Sequence, residues 1–262
     1  MTRIFDALKK YRMTEPAVPF PPPAAAPLLP VAGGLSGRNP GDAAAASARA
    51  EQVLPRIETT LVTELPEDVA REMITLRIGL ESALEERSTR VVMFLSSVSG
   101  EGTTTVASQF ATLLAGEGRT HALLVDFNLR RPGIASRFAA ASRGEEAQAR
   151  GSAPHTLAIG VPVAAESGGT TLTAAAARAF LTAISAQYDW VVVDGPPVLE
   201  AAEAAELAPL VDGVVVVVRS GHTKRPVVSR AVELLRKSGA RILGTVLNRR
   251  RLEIPDFIYR RI

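Results

Sequence analysis

The residues best suited to chemistry lie between Val91 and Thr105, VVMFLSSVSGEGTTT. Val91 to Leu95 is an apolar run of the kind that forms a fully buried parallel strand, and Thr103 to Ala115 places Ala, Phe and Leu at helical spacing. Between them lies a turn of small residues, Ser96 to Gly102. A strand, a glycine loop and a helix N-terminus together present backbone N–H groups and the positive end of a helix dipole to an anion, an arrangement that holds phosphate. The template is G-x-x-x-x-G-K-[ST]. Gly102 and Thr104 fit it, Ser97 stands at the first glycine, and Thr103 stands where the lysine belongs. Gly100, Glu101, Gly102, Thr103, Thr104 and Thr105 are the expected residues on the phosphate side.

Two later apolar runs end in aspartate. His121 to Val125 leads into Asp126 and then FNLRRP; Trp190 to Val193 leads into Asp194 and then GPP. Gly213 to Val218 runs into Arg219, and Arg241 to Leu247 ends at Asn248. Helical stretches lie between them at Thr171 to Gln187, Ala201 to Leu207 and Arg225 to Lys237. Short all-apolar strands alternating with helices predict a doubly wound, mainly parallel sheet with helices on both faces, a P-loop NTPase-like α/β fold. In such sheets the ligand lies outside the carboxyl ends of the strands, where the glycine loop, Asp126, Asp194 and Asn248 all fall. Asp194 is placed to hold a magnesium-bound water, Thr104 to supply a hydroxyl ligand, and Asp126 to join them as a metal and catalytic carboxylate. One such aspartate reads equally well as a helix cap; two, one of them followed by Gly-Pro-Pro, favour a metal or water site. Asn248 fits a turn cap as well as a contact to a base. Arg130 and Arg131 fit a phosphate clamp and a solvated pair equally well.

The elements that position this constellation occupy the C-terminal three quarters of the 262 residues. Met1 to Met13 has Ile4, Phe5 and Leu8 at helical spacing and predicts one short amphipathic helix, marginal on its own. Residues 14–65 read as a Pro/Ala-rich linker, largely disordered, although Pro55 to Leu65 has no clear pattern. From Pro66 the sequence turns helical, with Val69, Met73, Leu76, Leu80 and Leu84 in one stripe, so the domain is expected to span 66–262. There is no cysteine, which excludes disulfides, thiolate metal sites and cysteine nucleophiles. The three histidines, His121, His155 and His222, are too scattered for a metal cluster. The net charge is only +3, and the basic pI owes much to C-terminal arginines, among them Arg249, Arg250, Arg251, Arg260 and Arg261. No apolar run reaches membrane-spanning length, and the N-terminus carries charges where a signal peptide needs an apolar core. The expected location is the cytoplasm.

The ordered blocks SSVSGEGTTTVASQFA, LLVDFNLRRP, YDWVVVDGPPVL, LAPLVDGVVVVVRSGHTKR and GTVLNR resemble the bacterial tyrosine kinases of capsule and exopolysaccharide synthesis, in their stand-alone CpsD/CapB-like form. The start, MTRIFDALKKY, and the end, IPDFIYRRI, are similar to such proteins as well. The resemblance implies ATP and Mg²⁺ as cofactors, with the first block as Walker A, Asp126 in Walker A′ and Asp194 as the Walker B aspartate. It implies a membrane-embedded chain-length or copolymerase partner that brings the protein to the inner membrane, self-assembly into an oligomer, and no nucleic acid.

The departures from that family matter equally. Thr103 replaces the lysine, and Asn128 replaces the second acid of Walker A′. A ring-assembly E-x-x-R-x-x-R motif would fall with Arg71, Ile74 and Arg77, of which only Arg77 fits. Ala139 to Thr170 is unlike the family, and the C-terminal tyrosine cluster is reduced to Tyr259, expected to be an anchor rather than a phosphosite. Losing the lysine costs roughly 1.5–3 kcal/mol of binding, about 10- to 100-fold in affinity. It costs about 10²–10³ in rate where that charge stabilises the transition state. The expected protein is a regulator of exopolysaccharide synthesis, chain length or export with impaired ATP binding and phosphotransfer. The alternative is an active tyrosine autokinase. A partitioning ATPase of the ParA/MinD type ranks last, because its signature lysine would fall at Val98.

Overall fold

A computed structural model describes residues 56–62, 64–84, 88–118, 120–138, 155–161 and 172–250. The helix expected at 1–13, most of the linker at 14–65, and the tail with Tyr259 lie outside the described residues, as does most of 139–170.

Runs of Val and Leu with no polar alternation can only be buried on both faces, and they form the middle of a seven-stranded sheet. In chain order the strands are β1 (Arg56–Val62), β2 (Arg90–Ser96), β3 (Ala122–Asp126), β4 (His155–Val161), β5 (Trp190–Asp194), β6 (Gly213–Arg219) and β7 (Ile242–Asn248). Their spatial order is β1-β4-β3-β5-β2-β6-β7, parallel throughout except for the antiparallel edge pair β1–β4. The helices are α1 (Glu67–Ala83), α2 (Thr103–Gly116), α3 (Ala174–Ile184), α4 (Glu203–Leu207) and α5 (Arg225–Lys237), with a further helical turn at 134–138. The doubly wound, mainly parallel α/β fold expected from the apolar runs is the fold observed.

The period of two along each strand splits the core into two layers. Met93, Leu95, Leu123, Val125, Val191, Val193, Val214 and Val216 face α3, α4 and α5. Val92, Phe94, Leu124, Val192, Val215 and Val217 face α1 and α2. The predicted stripe on α1 behaves as expected: Met73, Leu80 and Leu84 are buried in the second layer, with Val69 and Leu76 packed against it. In that layer Phe110 of α2 meets Phe94 and Trp190, each at a ring-centroid distance of 5.6 Å.

The two strands that the sequence does not announce are β1 and β4. Pro55 to Leu65 supplies β1, so the sheet begins upstream of Pro66. As an edge strand, β1 leaves Glu58 and Thr59 exposed and mixes polar with apolar residues. β4 comes from the Ala/Gly/Ser-rich region after Ala139. Gly160 packs tightly there: a Cβ would lie 3.1 Å from the ring of Phe180 and 3.3 Å from Val125.

Phe110 joins the central strands to α2, the helix whose N-terminus forms the phosphate loop. Phe110→Ala is expected to destabilise the protein by about 3–5 kcal/mol, measured as a fall in the denaturation midpoint with little change in slope.

Candidate functional site

β2 ends at the buried Ser96, and the chain turns through residues 97–102 into α2. Gly100 and Gly102 have φ of 83° and 93°, the left-handed region that favours glycine. At Gly102 a Cβ would also lie 2.1 Å from Nδ2 of Asn248. The first intrahelical bond of α2 runs from the Val106 N–H to the Gly102 carbonyl. The N–H groups of Thr103, Thr104 and Thr105 in the first turn have no intrahelical acceptor and form the anion-binding end of the helix. Thr103 is 8% exposed and brings no charge to the position of the lysine.

Glu101, expected on the phosphate side, and Asn248, read equally as a turn cap or a contact to a base, both bond within the loop and its supports. Glu101 is 1% exposed. One carboxylate oxygen accepts the N–H groups of Ser97 at 2.6 Å and Val98 at 3.0 Å. The other accepts the Arg219 N–H at 3.3 Å and the Thr223 hydroxyl at 2.5 Å. Asn248 donates from Nδ2 to the Glu101 carbonyl at 2.9 Å, and its Oδ1 accepts the Arg249 N–H at 2.8 Å. The loop is thereby tied to the ends of both β6 and β7.

The register of β3 on β5 sets Asp126 beside Asp194 at the carboxyl edge. Their surroundings differ. Asp126 accepts the N–H groups of Asn128 at 3.0 Å, Gly133 at 2.9 Å and Ile134 at 3.2 Å. It pins the 127–133 loop and starts the helical turn at 134. That loop passes close over the phosphate loop: a Cβ on Gly133 would lie 3.0 Å from Cγ2 of Thr104. Asp194 is 1% exposed, and neither of its oxygens has a hydrogen-bond partner. Burial, and then the neighbouring charge of Asp126, push its carboxyl up to about 8, while the nearby Thr104 hydroxyl pulls the other way without completing a hydrogen bond. Burial also raises Asp126, against the pull of its three N–H donors.

A buried carboxylate with both oxygens orphaned, a second carboxylate beside it and a threonine hydroxyl nearby fit a hard divalent cation such as Mg²⁺. Asp194 and Thr104 would hold it directly, with Asp126 behind them because its oxygens already serve backbone donors. Among the described residues no group of three or more His, Cys, Asp or Glu gathers. The remaining ligands would be water and a bound phosphate, the usual pattern for magnesium.

The arginines of the 127–133 loop divide. Arg130 pairs with Glu203, Nε to Oε1 at 2.8 Å, so it serves α4 rather than a phosphate clamp. Arg131 remains exposed. One contact escaped sequence reasoning altogether. After Asp194 the chain follows β2 and the loop, with the Gly195, Val198 and Leu199 N–H groups on the carbonyls of Phe94, Ser96 and Ser97. It delivers Glu200 to Ser99, whose N–H bonds Oε1 at 2.8 Å and whose hydroxyl bonds Oε2.

No family model matches the chain. The tyrosine-protein kinase YwqD of Bacillus subtilis is 28% identical over 190 residues, 68% of this chain and 80% of that protein. The succinoglycan biosynthesis transport protein ExoP of Rhizobium meliloti is 27% identical over 205 residues, 72% of this chain but only 26% of that protein. The kinase domain of the Escherichia coli tyrosine kinase ETK superimposes with a TM-score of 0.55 at 22% identity, over 71% of this chain and 79% of that one. In sequence the chain is similar to bacterial tyrosine kinases, and in fold to a kinase domain of that kind. In this chain the carboxylate pair lies beside the glycine loop, and Thr103 stands at the lysine position of the phosphate-loop template.

The protonation of Asp194 makes the site testable by pH. Its carboxyl rises from 3.8 to about 8 on folding, so the folded chain binds this proton more tightly than the unfolded chain. The stability it contributes is complete below about pH 4 and is lost as pH rises toward 8, a change on the order of a few kcal/mol. In EDTA the protein should melt at lower temperature at pH 8 than at pH 6, and Asp194→Asn should flatten that difference. Mg²⁺ favours the ionised carboxyl and should raise the melting temperature more at pH 8. Stability that climbs from pH 6 to 8 in EDTA would contradict this site.

Proposed function

We propose that this protein is a regulatory member of the exopolysaccharide machinery, built on a bacterial tyrosine-kinase domain with weak ATP binding and impaired phosphotransfer. The reading rests chiefly on one juxtaposition: the orphaned carboxylate of Asp194 beside a phosphate loop with Thr103 at the lysine position. Backbone N–H groups and Mg²⁺ suffice to hold a nucleotide loosely. The fixed cation that would stabilise developing charge on a departing phosphoryl group is missing from the loop. Asn128, in place of a second acid, removes one further negative charge near the metal.

The working partner is a membrane-embedded polysaccharide copolymerase, and the chain acts at the cytoplasmic face of the inner membrane through that partner. The naming of ExoP as a succinoglycan biosynthesis transport protein supports this setting. No helix among the described residues is long and apolar enough to cross a membrane. The chain spans about a quarter of ExoP. Self-association of the domain belongs to the same reading.

A second reading, an active tyrosine autokinase, draws support from the intact carboxylate pair. Radiolabelled ATP with purified protein, with and without the copolymerase, separates the two: no label on tyrosine is expected. Phosphate at Tyr259 that disappears in Asp194→Ala would establish the kinase instead. Thr103→Lys is expected to tighten nucleotide binding about 10-fold or more, measured by calorimetry. Unchanged affinity would mean that the loop is not a phosphate site or that another cation already serves it.

A further inference from the structure

Glu200 belongs to none of the motifs, and the proposed function makes no use of it. Its carboxylate takes both the N–H and the hydroxyl of Ser99, in the middle of the glycine loop. The backbone dictates this contact. The segment after β5 is hydrogen-bonded along Phe94, Ser96 and Ser97, and a turn closed by the Glu200 and Ala201 N–H groups on the Pro197 carbonyl lifts Glu200 over Ser99. The Ser99 contacts, with help from the charge of Arg131, hold this carboxyl below its usual range, so it is an anion at neutral pH.

A fixed anion therefore lies on one of the donors of a loop whose purpose is to bind anions. The opposite end of the cradle is different. There the first-turn N–H groups of α2, Thr104 and the orphaned Asp194 remain ready for a phosphate and its cation. In such loops the backbone donors cradle the inner phosphates, and the lysine reaches toward the terminal one. Here the lysine is Thr103, Arg130 is engaged with Glu203, and Ser99 in the middle of the loop carries Glu200, with the charge of the exposed Arg131 acting on that carboxylate. A terminal phosphate reaching Ser99 would meet the Glu200 carboxylate on that donor.

We infer that Glu200 is a specificity-determining residue that makes this cradle a site for nucleoside diphosphates in preference to triphosphates. The inference rests on the reading of the loop as a nucleotide site. It sharpens that reading, since a site occupied by diphosphate is suited to sensing rather than to phosphotransfer.

The test is calorimetry of the full chain in Mg²⁺ with ADP and with a non-hydrolysable ATP analogue. ADP should bind about tenfold or more tightly, the size of a single charge-assisted hydrogen bond. Glu200→Gln removes the charge and Glu200→Ala also frees Ser99. Both should bring the affinity ratio toward one by improving triphosphate binding, with ADP affinity little changed. Glu200 is exposed, so both variants should melt close to the parent protein. Equal affinities in the parent, or a ratio unmoved in both variants while ADP still binds, would overturn the inference and leave the proposed function standing. If only Thr103→Lys binds nucleotide, the ratio is read in that background with and without Glu200→Gln, by the same criterion. If no form binds either nucleotide, both readings fall.

Discussion

The carboxylate of Glu101 is the contact on which the rest of the site depends. At 1% exposure it is cut off from solvent, and it has four donors: two loop N–H groups, the N–H that ends β6, and the hydroxyl of Thr223. Its own carbonyl is held by Asn248 at the end of β7. One residue thus joins the strand that enters the loop, the helix that leaves it, and the carboxyl ends of two further strands. The glycine at 102 follows from the same arrangement, because Asn248 occupies the space a Cβ would need. A buried network within the protein holds the shape of the loop.

That network separates shape from charge. Three carboxylates border the cradle, Asp126, Asp194 and Glu200, and the described structure gives the loop itself no lysine in return. In the low-dielectric edge of the sheet, burial and mutual repulsion drive Asp194 toward its neutral form. Asp126 avoids the same fate in part by accepting three N–H groups. Glu200 avoids it by reaching solvent and Ser99. A divalent cation beside Asp194 would resolve that imbalance directly.

The parts legible in sequence are those whose side chains answer to a local rule. β2, β3, β5 and β6 are nearly pure Val and Leu because helices cover both faces, and their ends are marked by a serine turn, aspartates and Arg219. β1 and β4 obey no such rule, since a strand at or near an edge satisfies itself with mixed residues, and RIETTLV reads equally well as loop. The site divides in the same way. Position along the loop made Glu101 look like a ligand contact, but the direction of its side chain is set by Arg219 and Thr223, more than a hundred residues away. Asn248, Arg130 and Glu200 likewise find their partners Glu101, Glu203 and Ser99 across the fold, and no spacing pattern encodes those pairings.

The substitutions in this chain fall on one side of that division. Glu101, Gly102, Asn248, Asp126 and Gly133 each carry a hydrogen bond or a close approach that the folded chain cannot lose without an unsatisfied donor or a clash. Thr103 and Asn128 are the positions at which the sequence departs from the resembled motifs, and these residue types cost the fold little. Threonine is a poorer helix former than lysine by only a few tenths of a kcal/mol, and at the first turn of α2 its N–H still faces the anion site. A chain altered in this manner keeps the backbone geometry of the glycine loop and the carboxylate pair at the sheet edge, while the loop carries no lysine.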